Sequence, residues 1–140
     1  MKFTKLNIDW NADLGAPEEK IFIIDDTVVV EFFLNCSIYK RFSENDRGKL
    51  TFTKCHKYFT GGTNDEGYFM GQHRYNDDDL PWGQFYKLET DWNTEFAADA
   101  VLLGEVDANT ELNHYLFFFK DSTFECVAAS FKVEFILSNI

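Results

Sequence analysis

The sequence predicts an all-β domain: an antiparallel β-sandwich or flattened barrel with one or two short helices. Three observations carry this. Apolar residues recur at period two or in short solid runs, as strands require. Clusters of Gly, Asn and Asp separate these runs. Aromatics are abundant, with Phe 16, Tyr 6 and Trp 3, and such residues fit a pleated, half-buried surface. At 140 residues the chain reads as a single domain over 1–140. It is long enough to bury a core without a disulfide or metal staple.

The elements follow in order. Leu6, Ile8 and Trp10 alternate with polar residues and predict a first strand. Ile21 to Ile24 is a solid apolar run, broken by Asp25-Asp26-Thr27 and resumed from Val28 to Leu34. That pattern predicts a hairpin. The second run is apolar on both faces except at Glu31, so it needs cover on both sides or an interface. Ser43 to Gly48 reads as a turn and Lys49 to Phe59 as a strand. Gly67 to Tyr75 reads as its antiparallel partner across the Thr60–Glu66 loop.

Asn76 to Asp79 is an acidic loop, Pro81-Trp82-Gly83 punctuates the chain, and Gln84 to Glu89 returns to strand. Thr90 to Asp99 is the best helix candidate. Thr90 could cap it, and Asp91 and Glu95 suit its first turns. Val101 to Glu105, His114 to Lys120 and Thr123 to Ala128 read as strands. In the last segment Phe131, Val133, Phe135 and Leu137 point one way, with Lys132, Glu134 and Ser138 opposite. That is a strand with one buried face.

Lys+Arg 13 against Asp+Glu 24 gives a net charge of −11. Nucleic-acid binders need a basic surface, so none is expected as a partner. The N-terminus lacks the apolar core of about 7–15 residues that a signal peptide needs. No stretch approaches the ~20 apolar residues of a membrane span. The expectation is a cytoplasmic protein that does not engage a membrane. Cys36, Cys55 and Cys126 are an odd, sparse set, and they read as small buried hydrophobes.

The stretch from Tyr75 to Tyr86 is the most unusual. Asp77, Asp78 and Asp79 repel one another, so they face water or a cationic partner. The alternating acids, glycine and distant Glu of a calcium loop are missing. Trp82, followed by Gly83, Phe85 and Tyr86, is a candidate aromatic anchor for a partner. The bland alternative is a plug at the mouth of the core. In a second arrangement Trp82, Tyr86, Tyr68 and Tyr75 line a concave mouth for a small ligand or carbohydrate, with Arg74 and Gln72 as polar fixers.

The histidines are His56, His73 and His114. Neighbours on a strand point to opposite faces, so Cys55 and His56 cannot hold one ion together without a bulge. Zinc-type spacings are missing. No metal and no cofactor are expected. There is no G-x-S-x-G elbow and no phosphate loop. With 24 acids, some carboxylate pair at glycosidase spacing arises by chance. No catalytic residues are assigned.

Two segments carry a resemblance: Asn64-Asp65-Glu66-Gly67-Tyr68 with Gly71-Gln72-His73-Arg74, and Pro81-Trp82-Gly83-Gln84-Phe85-Tyr86. Phe118 to Cys126 and Leu6 to Trp10 extend it over most of the chain. The sequence resembles a group of short, uncharacterised, single-domain bacterial proteins. The resemblance implies a free-standing bacterial domain and transfers no activity and no site residue.

The sequence thus favours a non-enzymatic binding protein. It would engage a basic protein partner through Asp77, Asp78, Asp79 and Trp82, as an immunity protein neutralises a nuclease-type toxin. A small-ligand or carbohydrate-binding domain is the alternative, and an enzyme comes last. The two-sided run Val28–Leu34 and the triplet Phe117–Phe119 exceed what one sheet face needs, which predicts a homodimer.

Overall fold

A computed structural model describes residues 1–70, 73, 75 and 80–138. Gln72, Arg74, Asp77, Asp78 and Asp79 lie outside the described residues. Among those described, eight strands join one antiparallel sheet, and two short helices lie outside it. The strands are β1 (Lys2–Lys5), β2 (Lys20–Ile24), β3 (Thr27–Phe33), β4 (Arg47–Gly61), β5 (Phe85–Glu89), β6 (Val101–Leu102), β7 (Asn113–Phe118) and β8 (Thr123–Ile136). The helices are α1 (Asp65–Phe69) and α2 (Trp92–Glu95). The order is β1-β5-β7-β8-β4-β3-β2, with β6 pairing onto β4. No helix among the described residues is long and apolar enough to cross a membrane.

The sheet curls onto itself, as a flattened barrel does. Phe32 of β3 and Phe117 of β7 stand three strand steps apart, which in a flat sheet is about 14 Å. Their ring centroids are 5.4 Å apart. Phe52 of β4 likewise meets Phe85 of β5 at 6.0 Å. Two long strands do the bending: β4 and β8 pair along their length, and a register shift between Cys55 and Lys57 marks a bulge, which turns a strand and raises its twist. Inside lies the main core, with Val28, Val30, Phe32, Leu50, Phe52, Phe85, Phe117 and Phe124 fully buried. Gly48 is required here. A Cβ there would sit 2.5 Å from the Phe32 ring.

The open side is closed by the strap between β1 and β2. The Leu6 amide donates to Phe85 C=O, the Asn11 side chain to Gly83 C=O, and the Asp13 amide to Phe33 C=O. Trp10 drops from this strap into the core against Phe32, Phe85, Phe117 and Phe135. Here the predicted first strand needs correction. The strand is β1, and residues 6–10 form the strap. Asn7 breaks the alternation: its amide group donates to Trp10 C=O and Gln84 Oε1 and accepts from the Phe85 amide. Asp9 has φ 60, which no strand tolerates.

Two further expectations are corrected. Among the described residues of 67–75, none joins a strand paired with β4. Asn64 caps α1 by accepting from the Gly67 amide at 2.8 Å, and the chain turns helical. The predicted helix 90–99 shrinks to α2, with Asp91 rather than Thr90 as its first flanking residue. The Thr90 hydroxyl is held by His114 instead. The hairpin at Asp25-Asp26 and the alternation of Phe131, Val133 and Phe135 stand as expected, whereas Leu137 lies beyond β8 and is exposed.

Most of the apolar excess that suggested a dimer is buried within the chain. Phe117 and Phe119 face the main core, and Phe118 belongs to a second cluster on the opposite face. Along β3, Val28, Val30 and Phe32 are fully buried while Val29, Glu31 and Phe33 are half-buried. Arg47 covers the Phe33 ring at 4.7 Å.

Burial pushes the Tyr86 phenol up, with Tyr68 adding to the effect, and burial followed by Cys126 does the same to Tyr115. A raised folded-state pKa means stability present below the unfolded value, about 10, and lost as pH rises beyond it. Alkaline titration followed by ultraviolet absorbance is therefore expected to show these two phenols ionising only together with unfolding. Early ionisation in the folded protein would contradict their packing.

All three cysteines are free. Burial, then the neighbouring Cys55, holds the Cys126 thiol well above its ordinary value. Cys55 is fully buried too, whereas Cys36 is half-buried. Under native conditions Cys36 is expected to react with a thiol reagent while Cys55 and Cys126 wait for unfolding. Mass spectrometry of the labelled peptides checks this.

Candidate functional site

Two arrangements of chemistry-bearing side chains lie on the outer face of β5 and β7. The first centres on Trp82. Tyr68, Tyr75 and Leu80, which precede β5, pack there with Tyr86, Leu88, Leu116 and Phe118 of β5 and β7 in a second apolar cluster. The tyrosines are locked by their hydroxyls. Tyr68 donates to Leu80 C=O at 2.6 Å, and Tyr86 to Pro81 C=O at 2.5 Å. Trp82 lies against this layer, half-buried, stacked on Phe118 with centroids 4.7 Å apart. Gly83, at φ 84, turns the chain directly behind it.

Trp82 also lines a cavity of about 540 Å³ with Ala12, Leu14, Pro81, Phe118 and Phe119, edged by Asp13 and Lys120. The cavity wall is mostly apolar. Of the predicted aromatic residues, only Trp82 fronts this cavity. Tyr68, Tyr75 and Tyr86 are buried; Tyr68 and Tyr86 fix the turn through Leu80 C=O and Pro81 C=O, while the Tyr75 hydroxyl reaches Glu95 C=O. The structure brings these four aromatics together, but as a packed layer rather than an open mouth.

The second arrangement is polar and buried. Thr90 follows β5, His114 lies on β7 and Glu125 on β8. Register places them side by side, since Leu88 pairs His114 and Leu116 pairs Glu125. His114 Nδ1 meets Thr90 Oγ1 at 2.5 Å, and His114 Nε2 meets Glu125 Oε1 at 2.5 Å. His114 and Glu125 are each 1% exposed. Phe96 covers the imidazole at 5.2 Å between centroids.

Lys57 of β4 completes the row. Its ammonium lies over the Phe96 ring at 4.7 Å and donates to Trp92 C=O. Desolvation pulls the Lys57 pKa down, and the Glu125 carboxylate opposes that pull. Thr90 is half-buried and opens onto a cavity of about 700 Å³ shared with Tyr75, Glu89, Asp91, Thr94, Glu95 and Phe96.

Sequence reasoning missed this row. No local motif announces it, because residues 90, 114 and 125 meet only through strand register. The other histidines serve packing. His56 Nδ1 lies 2.6 Å from Gly104 C=O, and His73 Nδ1 accepts from the Tyr75 amide. No cluster of three or more metal-ligating side chains occurs among the described residues. Compared with known proteins, the chain matches no family model, no curated protein and no solved structure.

Proposed function

We propose that this chain is a non-enzymatic binding protein of the bacterial cytoplasm that self-associates. In this reading it engages a basic protein partner through an acidic, aromatic-anchored surface, as an immunity protein does. The single observation that supports it is the placement of Trp82. A rigidly backed indole fronts a largely apolar cavity wide enough for a partner side chain, and pre-ordered aromatics of this kind dominate binding energy. The net charge of −11 would steer a basic partner and raise its association rate. Asp77, Asp78 and Asp79 adjoin Trp82 in sequence and would supply the local field.

Affinity capture from a bacterial lysate tests this, with wild-type and Trp82→Ala baits side by side. A basic protein retained by wild type, lost by the variant, and released as salt rises is the expected result. Capture indifferent to both Trp82 and salt would overturn the reading.

The Thr90–His114–Glu125 chain favours a second reading, an acyl-transfer enzyme. A hydroxyl hydrogen-bonded to an imidazole that a carboxylate orients is the signature of an activated nucleophile. Thr90 Oγ1 would attack a carbonyl carbon while its proton passes to His114 Nδ1, the departing alcohol would take that proton, and water giving its proton to His114 would then release the acid from acylated Thr90, which regains its own proton. Turnover of an activated ester by wild type, but not by Thr90→Val, would support this reading. Equal rates from both would remove it.

A further inference from the structure

The cavity in front of Trp82 sets two charges on an apolar wall. Ligand sites are mostly apolar, with a few placed polar groups that fix orientation, and this cavity of about 540 Å³ has that make-up. Its floor is firm, since Ala12, Phe118 and Phe119 are buried members of the two apolar clusters.

Among the described lining residues only Asp13 and Lys120 are charged, and their signs are opposite. No ion pair joins them, so the two charges stand apart. Asp13 Oδ1 accepts from the Gly15 and Ala16 amides. This fixes the carboxylate and leaves Oδ2 unbonded among the described residues. The Lys120 ammonium meets no partner among them either. Gly83 adds a third polar group. It is buried at the same cavity, and its N–H finds no acceptor among the described residues, whereas buried amides nearly always have one.

These features select a class of ligand. An apolar body fills the wall beside the indole. A carboxylate answers Lys120 and the Gly83 N–H, and an ammonium answers Asp13. A residue inside a polypeptide carries neither charge on its backbone. A sugar would press its hydroxyls against a wall that offers them few partners. We infer that the cavity binds a free α-amino acid with a large apolar side chain, of the leucine or phenylalanine kind. Its carboxylate sits on Lys120 and the Gly83 N–H, and its ammonium on Asp13 Oδ2. The inference goes beyond the protein partner proposed above and shares only the Trp82 cavity with it.

Calorimetric titration of the full chain tests this, with L-phenylalanine and L-leucine as probes. Each is expected to saturate one site per chain, whereas glycine, which lacks the apolar body, is not. L-Phenylalaninamide removes the ligand's carboxylate, and N-acetyl-L-phenylalanine removes its ammonium. Each is expected to bind at least about tenfold more weakly than L-phenylalanine, as the loss of one charge-assisted hydrogen bond requires. On the protein, Lys120→Gln changes an exposed side chain, and Asp13→Asn keeps an oxygen for the Gly15 and Ala16 amides. Lys120→Gln should weaken L-phenylalanine by a similar factor and leave the amide's affinity unchanged. Asp13→Asn should weaken L-phenylalanine likewise and leave the N-acetyl compound's affinity unchanged. No saturation of wild type by millimolar L-phenylalanine or L-leucine overturns the inference. So does an amide or N-acetyl compound that binds as well as the free amino acid, or a charge variant that binds L-phenylalanine as wild type does. Any of these failures leaves capture of a basic partner through Trp82 standing, and that capture can fail without altering the titrations.

Discussion

Replacing Trp10 with alanine is expected to lower the unfolding free energy by about 3–5 kcal/mol, the range for removing a large aromatic from a core. Trp10 is 3% exposed and touches Phe32, Phe85, Phe117 and Phe135, which come from four different strands. Of the strap's side chains, only Trp10 and the much smaller Ala12 are buried members of the main core. Its loss leaves a cavity at the point where the two ends of the curled sheet meet, so the surroundings cannot collapse around it. Whole domains of this size hold only about 5–15 kcal/mol, so the variant sits close to unfolding. Urea denaturation followed by circular dichroism checks this. An unfolding midpoint near that of wild type would mean that the strap does not close the barrel.

Glu125→Ala is expected to cost a comparable amount, about 3–5 kcal/mol, as breaking a buried ion pair or charge-assisted hydrogen bond does. The carboxylate is 1% exposed and meets His114 Nε2 at 2.5 Å. Its removal leaves the imidazole without that acceptor. It also removes the charge that holds up the Lys57 pKa, which falls further. In the window between that folded-state value and the unfolded value, about 10.4, the unfolded chain binds the extra proton, so the variant gains stability as pH rises. Denaturation at neutral and mildly alkaline pH reads both effects. A variant as stable as wild type at neutral pH would show that the row contributes nothing to the fold.

Much of the sheet was legible in the sequence. The hairpin around Asp25-Asp26 follows from two apolar runs around an acidic break, and the alternation of Phe131, Val133 and Phe135 from period two, because that strand turns one face to the core. Two of the misreadings share an origin in side-chain bonds to the backbone. Asn7 turns an alternating segment into a strap, and Asn64 turns a Tyr- and Phe-bearing segment into a helix by capping it. In both places a local hydrogen bond outweighs strand propensity, as Asn side chains are able to do. Trp82 was legible as an unusual residue, but its backing by Phe118 was not, since 36 positions separate them in sequence. The Thr90–His114–Glu125 row depends on two strand registers at once, which no local pattern encodes.

The most direct measurement is the affinity of the captured basic partner for wild type and for Trp82→Ala, taken across a salt series by calorimetry. The expected result is a loss of at least about 2 kcal/mol on truncating the indole, with wild-type affinity falling steadily as salt rises. Equal affinities for the two proteins, unchanged by salt, would contradict an acidic surface anchored by Trp82.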